Sequence, residues 1–406
     1  MRRVWVTGMG IVSCLGNDLA TVTRALQTGQ SGIRQVPAFA EAQLSSQVAG
    51  VPDLGGLPTI DRKLRRFMGD AAVYAYHAMQ RAVDDAALPS ALLHDSRTAL
   101  FIGSGMSAPQ QFDEALGTLR GRGIDKLRPY YIPQVMSSTV AANLAQAFQI
   151  NGPSFGITAA CATSAHCIGT AWAMIRSGLI DRAWVGGAEE VSAVATALYE
   201  PLGALTTRYN HTPAQACRPF AQDRDGFAIA GGAGVLLLEA ADCARQRKAR
   251  VYAELSGYGA SNTASDMVQP DSDGILQAMQ QALALAQAGE PVVDYLNPHA
   301  TATVLGDRAE VQAIRRLFGE HMPLVSATKG LSGHSIGAIS AHEAIFCLLM
   351  MRHGFVAGSA NLDQLDPEFA DLPIVRQHTP CRLGTVLSNS IGFGGTNASL
   401  LFQRTD

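Results

Sequence analysis

Phe155-Gly156-Ile157-Thr158-Ala159-Ala160-Cys161-Ala162-Thr163-Ser164 changes its pattern partway along. Its first residues read as the end of a short strand. Its last residues open a helix whose apolar face is carried by Ile168, Ala171, Trp172 and Ile175 and whose C-terminal cap falls at Gly178. Outward from this stretch the same alternation continues. Val4-Trp5-Val6, Ala99-Leu100-Phe101-Ile102 and Ala183-Trp184-Val185 are short apolar runs set between glycines and helical patterns, the mark of a layered α/β fold. Two stretches end alike: Gly226-Phe227 and Gly231-Gly232 lead into Val235-Leu236-Leu237-Leu238, and Gly392-Phe393-Gly394-Gly395 leads into Leu400-Leu401-Phe402. This predicts a duplication, with halves at 1–250 and 251–406 and the second opening near Val251-Tyr252-Ala253-Glu254. No Pro/Ser-rich linker separates them, so one fused globule is expected.

With 406 residues, 47% hydrophobic and only 16% charged, the chain can bury a large core. A net charge of −3 excludes a nucleic-acid partner held by bulk electrostatics. The longest apolar run, Ala344 to Met351, is far short of the ~20 residues of a membrane span. The N-terminus reads as a first strand and not as a signal peptide, which predicts a cytoplasmic protein. The 7 cysteines form no CxxC pairs and no Cys/His cluster at zinc spacing, so neither a disulfide framework nor a structural metal is expected. Cys14, Cys167, Cys217, Cys243, Cys347 and Cys381 read as packing residues.

Cys161 differs from them by its setting. At a helix N-terminus among Ala, Thr and Ser, unpaired N–H groups and the helix dipole favour a thiolate, and the small neighbours leave room for a substrate. The segment alone serves a nucleophile or a small core cysteine equally well. His299, in Asn297-Pro298-His299-Ala300-Thr301-Ala302-Thr303, and His334, in Gly333-His334-Ser335-Ile336-Gly337, follow strand-like runs in settings that suit a cleft, although for either one alone a hydrogen-bonded structural histidine is the better reading. Lys329 sits among small and apolar residues, which requires either a buried partner or a surface position. Asn389-Ser390-Ile391-Gly392-Phe393-Gly394-Gly395 is a loop whose backbone can approach a ligand and stabilise an oxyanion; it is not a phosphate loop.

Together, and with Val6-Thr7-Gly8-Met9-Gly10-Ile11-Val12-Ser13, Arg218-Pro219-Phe220 and Arg224-Asp225-Gly226-Phe227, these segments resemble the elongating type I/II β-ketoacyl-acyl-carrier-protein synthases over essentially the whole chain. Type I looks closest, in Ala160-Cys161-Ala162-Thr163-Ser164-Ala165-His166-Cys167-Ile168-Gly169. The resemblance implies a duplicated five-layered α-β-α-β-α, thiolase-like fold. It also implies decarboxylative condensation of malonyl carrier protein with an acyl chain held on Cys161, without a tightly bound cofactor. His299 and His334 would then bond the malonyl thioester oxygen, and Lys329 would hold the network's protonation. The N–H groups of Cys161 and Phe393 would form the oxyanion hole, and Thr301 and Thr303 would bind the phosphopantetheine arm. Asn297, Glu310, Glu343, Ser388 and Asn389 match a supporting polar cluster that in some members holds a monovalent cation. Met106, Ser107 and Ile391 match acyl-pocket positions.

The implied partners are acyl carrier protein and a second subunit, in a homodimer or with a ketosynthase-like sister chain. Arg62, Lys63, Arg65 and Arg66, with Lys126 and Arg128, are basic clusters that suit an acidic carrier or simply solvent. Two departures stand out. His299-Ala300-Thr301-Ala302-Thr303-Val304 lacks the family's glycine and proline, and Ile391 replaces a phenylalanine, which implies a reshaped acyl channel. The alternatives are a thiolase, which needs a second cysteine where this chain has Phe393, and a non-catalytic chain-length-factor subunit, against which all four of Cys161, His299, Lys329 and His334 argue. The sequence leaves acyl chain length and pathway open.

Overall fold

The computed structural model describes residues 1–286 and 291–405. Ten strands form one hydrogen-bonded ladder: β1 (Val4–Val12), β2 (Thr98–Gly103), β3 (Ser154–Phe155), β4 (Arg182–Glu189), β5 (Gly232–Ala240), β6 (Ala253–Asn262), β7 (Tyr295–Asn297), β8 (Leu324–Val325), β9 (Thr385–Ile391) and β10 (Thr396–Gln403). Their spatial order is β8-β7-β9-β10-β6-β1-β5-β4-β2-β3. Cut between β6 and β1, the ladder gives two five-stranded sheets with one topology. In the first, β2 runs parallel to β3 and β4, while β5 runs antiparallel to β4 and β1. In the second, β7 runs parallel to β8 and β9, while β10 runs antiparallel to β9 and β6. The strand pairs Trp5↔Glu254 and Val6↔Ala253 join the two.

Five helices complete the layers: α1 (Asp70–Ala86), α2 (Thr163–Arg176), α3 (Ser272–Ala284), α4 (Val304–Phe318) and α5 (Ile339–His353). α1 covers the outer face of the first sheet, and α3, with α4 beside it, covers that of the second. α2 and α5 pack on each other and on strands of both sheets, which makes them the middle layer. α5 shows the consequence in its composition: Ile339 through Met351 are all buried, as a helix enclosed on every side requires. Among the described residues, no helix is long and apolar enough to cross a membrane. α2 stops where the sequence indicates. Gly178 takes φ 78°, and the N–H groups of Gly178 and Leu179 return to the carbonyls of Ile175 and Met174, each at 3.0 Å.

The duplication is written most plainly where each first strand meets its outer helix. A Cβ on Gly10 would lie 2.0 Å from the Ala78 carbonyl oxygen, and one on Gly259 would lie 1.9 Å from that of Ala278. Gly8 meets Ala82 and Ala86, and Gly257 meets Ala282, in the same way. Both halves thus use Gly-x-Gly on the strand and small residues on the helix for close approach.

Candidate active site

Cys161 lies just before α2, and His334 lies shortly before α5, the counterpart of α2 in the second half. The duplication therefore brings two non-equivalent side chains to equivalent places at the start of the middle layer. Ser340 Oγ donates to the Cys161 carbonyl at 3.0 Å, and the Ala341 N–H donates to Ser164 Oγ at 2.9 Å, which fastens the two helix starts together. Cys161 Sγ stands 3.1 Å from His334 Nε2. The His299 ring meets His334 edge-on, with centroids 5.2 Å apart. These residues form the floor of a cleft of about 470 Å³, whose walls include Thr301, Thr303, Ile391 and Phe393.

The electrostatics correct one expectation. Burial pushes the Cys161 thiol up to about 12, against the pull of the Lys329 charge. The turn before α2 does not hold a standing thiolate. Burial, reinforced by Lys329, keeps His299 and His334 well below the ordinary histidine value, so both rings are neutral. A neutral imidazole 3.1 Å from a thiol is placed to take its proton as the sulfur attacks.

Lys329 has the buried partner that its surroundings demand. Its Nζ lies 2.7 Å from Glu343 Oε1, and both side chains are fully enclosed. Burial lifts the Glu343 carboxyl above the usual range while the ammonium holds it down. The Glu310 oxygens accept from the N–H groups of His299 and Ala300, each at 2.8 Å, which fixes the His299 loop. Asn389 Nδ2 donates to Glu310 at 3.1 Å and its Oδ1 accepts from Ser399, while Asn297 Nδ2 donates to Ser388 Oγ at 3.2 Å. Of the five residues of the polar cluster, Glu310 lines the cleft, and Asn389 is bonded to it, Asn297 to Ser388 and Glu343 to Lys329. Where the loop lacks glycine, Ala300 and Ala302 themselves take φ 22° and 64°, conformations that L-residues adopt at a cost of ~1–2 kcal/mol.

No sequence pattern announces the contacts that offset this strain. Asp307 on α4 accepts from the N–H groups of Ala302 and Phe220 at 3.1 and 2.9 Å and faces Arg224 at 3.4 Å. This gives Arg224, a motif residue with no role assignable from sequence, a place beneath the loop. Glu189 also escapes the sequence reading, although an acidic pair closing an apolar strand is a usable signal. It accepts from the N–H groups of Gly105, Met106 and Gly337 and from Ser104 Oγ, at 2.6–3.0 Å. Met106 and Ser107 belong to this neighbourhood and do not line the cleft.

The two basic clusters, distant in sequence, converge. Arg62, Arg65, Arg66 and Arg128 line a second cavity of about 400 Å³ together with Tyr130, while the exposed Lys63 and Lys126 lie outside its lining. The Arg66 guanidinium lies over the rings of Phe67 and Tyr130, at 4.6 and 5.5 Å.

Comparison with known proteins agrees with this geometry. Residues 1–244 match the family described as beta-ketoacyl synthase, N-terminal domain, and residues 252–363 match its C-terminal domain. The chain is 44% identical to 3-oxoacyl-[acyl-carrier-protein] synthase 1 of Haemophilus influenzae, over 100% of this chain and 99% of the relative. A crystal structure of a beta-ketoacyl synthase from Burkholderia phymatum superposes with a TM-score of 0.93 at 33% identity, covering both chains fully. A structure described as a type II PKS acyl-carrier protein in complex with its ketosynthase bound to the hexaketide matches with a TM-score of 0.90 at 26% identity, again over 100% of each chain.

Proposed function

Because this chain belongs to the β-ketoacyl synthase family, we propose how its own residues carry out the family's acyl transfer and condensation. The protein is a 3-oxoacyl-acyl-carrier-protein synthase, an acyltransferase of thiolase-like fold. The 3.1 Å approach of Cys161 Sγ to His334 Nε2, with His299 beside it on the cleft floor, is the observation that carries the reading.

In the first half-reaction the Cys161 sulfur attacks the acyl thioester carbonyl, its proton passes by way of His334 to the departing pantetheine thiolate, and the acyl chain stays on the enzyme. The N–H groups of Cys161 and Phe393 hold the oxyanion, a contribution of roughly 3 kcal/mol per donor. In the second, malonyl carrier protein loses carbon dioxide. The electron pair of the broken bond forms an enolate whose oxygen is held by His299 and His334. The enolate carbon attacks the Cys161 thioester, and the thiolate leaves and takes up a proton from solvent water, which replaces the one lost to the pantetheine thiol. Neutral histidines suit this role, since each carries one N–H to present to the growing charge; for His334 the donor is the Nε2–H tautomer, the opposite of the one that accepts from Cys161 in the first half-reaction. Thr301 and Thr303, whose hydroxyls lie 3.0 Å apart on the cleft wall, guide the phosphopantetheine arm.

Finer assignments rest on the same site. The nucleophile belongs to the half at 1–250, and the histidines and glycine loop belong to the half at 251–406. The buried cluster of Asn297, Glu310, Glu343, Ser388 and Asn389 is suited to a monovalent cation: Glu343 Oε2 is buried with no hydrogen-bond partner among the described residues. A second subunit, identical or a sister chain, completes the assembly. The seven cysteines are all free, which suits a reducing cytoplasm.

Ile391, smaller than phenylalanine at the cleft wall, shapes the channel for an unusual acyl chain such as a polyene or branched intermediate. An elongation assay with a panel of acyl carrier proteins and malonyl carrier protein tests this. Turnover of unsaturated or branched chains is expected, with Ile391→Phe narrowing the range. Elongation of ordinary saturated chains alone would remove the idea.

The Arg62–Arg66 and Lys126–Arg128 region is the carrier-protein dock. Charge reversal in Arg62→Glu/Arg66→Glu is expected to raise the KM for acyl carrier protein about tenfold or more at low salt, with little change in kcat and a weaker salt dependence. An unchanged KM would return these arginines to ordinary surface charge.

A further inference from the structure

One half-buried histidine of the middle layer has no part in the chemistry above. His166 follows Cys161 by five residues, on α2, and both of its ring nitrogens meet hydroxyls from the other half of the chain. Nδ1 lies 2.6 Å from the Tyr258 hydroxyl of β6, and Nε2 lies 2.8 Å from Thr396 Oγ1, the first residue of β10. A neutral imidazole offers one donor and one acceptor, and each hydroxyl can complement either, so both bonds are satisfied. Burial holds the ring below the ordinary histidine value and lifts Tyr258 to about 12, which keeps both partners in these forms at neutral pH.

Each partner leads to a different part of the site. Thr396 governs the glycine loop: its carbonyl accepts from the Gly392 N–H at 2.7 Å, closing the turn that carries Phe393. That turn is packed directly against the nucleophile's segment. A Cβ on Gly392 would lie 2.8 Å from Thr396 Cγ2 on one side and 2.9 Å from the Ala159 carbonyl oxygen on the other. Tyr258 fastens the helix. A Cβ on Gly169 would lie 2.3 Å from its ring, so the ring fills the notch that this glycine leaves on α2, and Trp172 Nε1 donates to the Leu255 carbonyl at 2.6 Å one turn further on. The nucleophile's helix and the Phe393 turn, which come from opposite halves of the chain, are thus spanned by one side chain.

We propose that His166 is a positioning residue for acyl transfer: by tying Thr396 to the helix that follows Cys161, it sets the gap between the nucleophile and the Phe393 turn. It touches no substrate. The inference rests on the assignment of the oxyanion hole to Cys161 and Phe393. It separates the two half-reactions, because decarboxylation depends on His299 and His334, which His166 does not contact.

The test is single-turnover acylation of Cys161 by acyl carrier protein, followed by intact mass, set beside carbon dioxide release from malonyl carrier protein. His166→Ala and Thr396→Val are expected to slow acylation about tenfold to a hundredfold, the range that a displaced reacting geometry produces. Carbon dioxide release is expected to change less than about threefold, below what loss of a positioned group causes. His166→Gln, which keeps a donor and an acceptor, restores part of the rate, and the double variant is no slower than the worse single one. Equal loss in both half-reactions, or no loss of acylation in folded variants, overturns the proposal. Thr396→Val keeps the side-chain shape and decides the matter if His166→Ala does not fold. If the wild-type chain itself takes no acyl group, the functional assignment fails and this proposal with it, whereas loss confined to the variants bears on His166 alone.

Discussion

Cys161→Ala is expected to abolish chain elongation, by about 10³-fold or more, while the release of carbon dioxide from malonyl carrier protein continues. In the proposed mechanism the thiol on the cleft floor carries the acyl chain, so its loss removes the electrophile that the enolate must attack. The histidines that stabilise the enolate remain. His299 is held through its backbone by Glu310, and His334 through bonds between its own N–H and carbonyl and the backbone of Ala228 and Ala230. The substitution removes one buried sulfur, and the fold should tolerate it. Elongation within tenfold of wild type in this variant would show that the chain is not carried on Cys161.

The second large effect concerns stability. Lys329→Met leaves the Glu343 carboxylate fully buried, with one oxygen unpartnered among the described residues and Thr328 as a remaining donor at 3.3 Å. An ionised group in that state costs about 3–5 kcal/mol. The group escapes by holding its proton, so the loss depends on pH. With the folded-state pKa raised above the unfolded one, the folded protein binds the extra proton, and stability falls as pH rises from the unfolded carboxylate value near 4.3 through the folded one. Urea titrations at a series of pH values should show this decline in Lys329→Met, and Lys329→Met/Glu343→Leu should recover most of the stability without recovering activity. Removing the lysine also relieves its pressure on His299 and His334. Both rings protonate more easily, so the acid limb of any residual activity moves to higher pH. A variant as stable as wild type at pH 8 would show that the pair is not the ionic contact described here.

The layers are legible in the sequence because the strands are short, apolar and bounded by glycine, and because α2 carries a clear apolar face. The duplication is visible too, though in its weaker signal. The glycine-rich ends suggest it, while the firmer repeat, Gly8 and Gly10 against Gly257 and Gly259, has no local mark because its meaning lies in the helix that each pair faces. Cys161 and His334 are individually ambiguous. Their convergence depends on the starts of two equivalent helices being fastened together, which no local pattern reports. Asp307 is invisible for a similar reason: an aspartate in a helix's first turn is ordinary until the strained loop it serves is seen. The charge state of Cys161 differs from the sequence expectation, since the sequence reveals a helix start but not the depth of its burial. Met106 and Ser107 are not among the residues lining the cleft; the Met106 N–H is held by Glu189 at the end of β4, and the Ser107 N–H by Ser104.

The most direct test of covalent acyl carriage by Cys161 is the intact mass of the purified protein after incubation with acyl carrier proteins, together with mapping of the modified peptide. The expected result is a mass increase equal to one acyl group, located on Cys161, absent from Cys161→Ala and released when malonyl carrier protein is added. A wild-type chain that stays unmodified with every acyl carrier protein tried, or that carries the group on another residue, would contradict the mechanism.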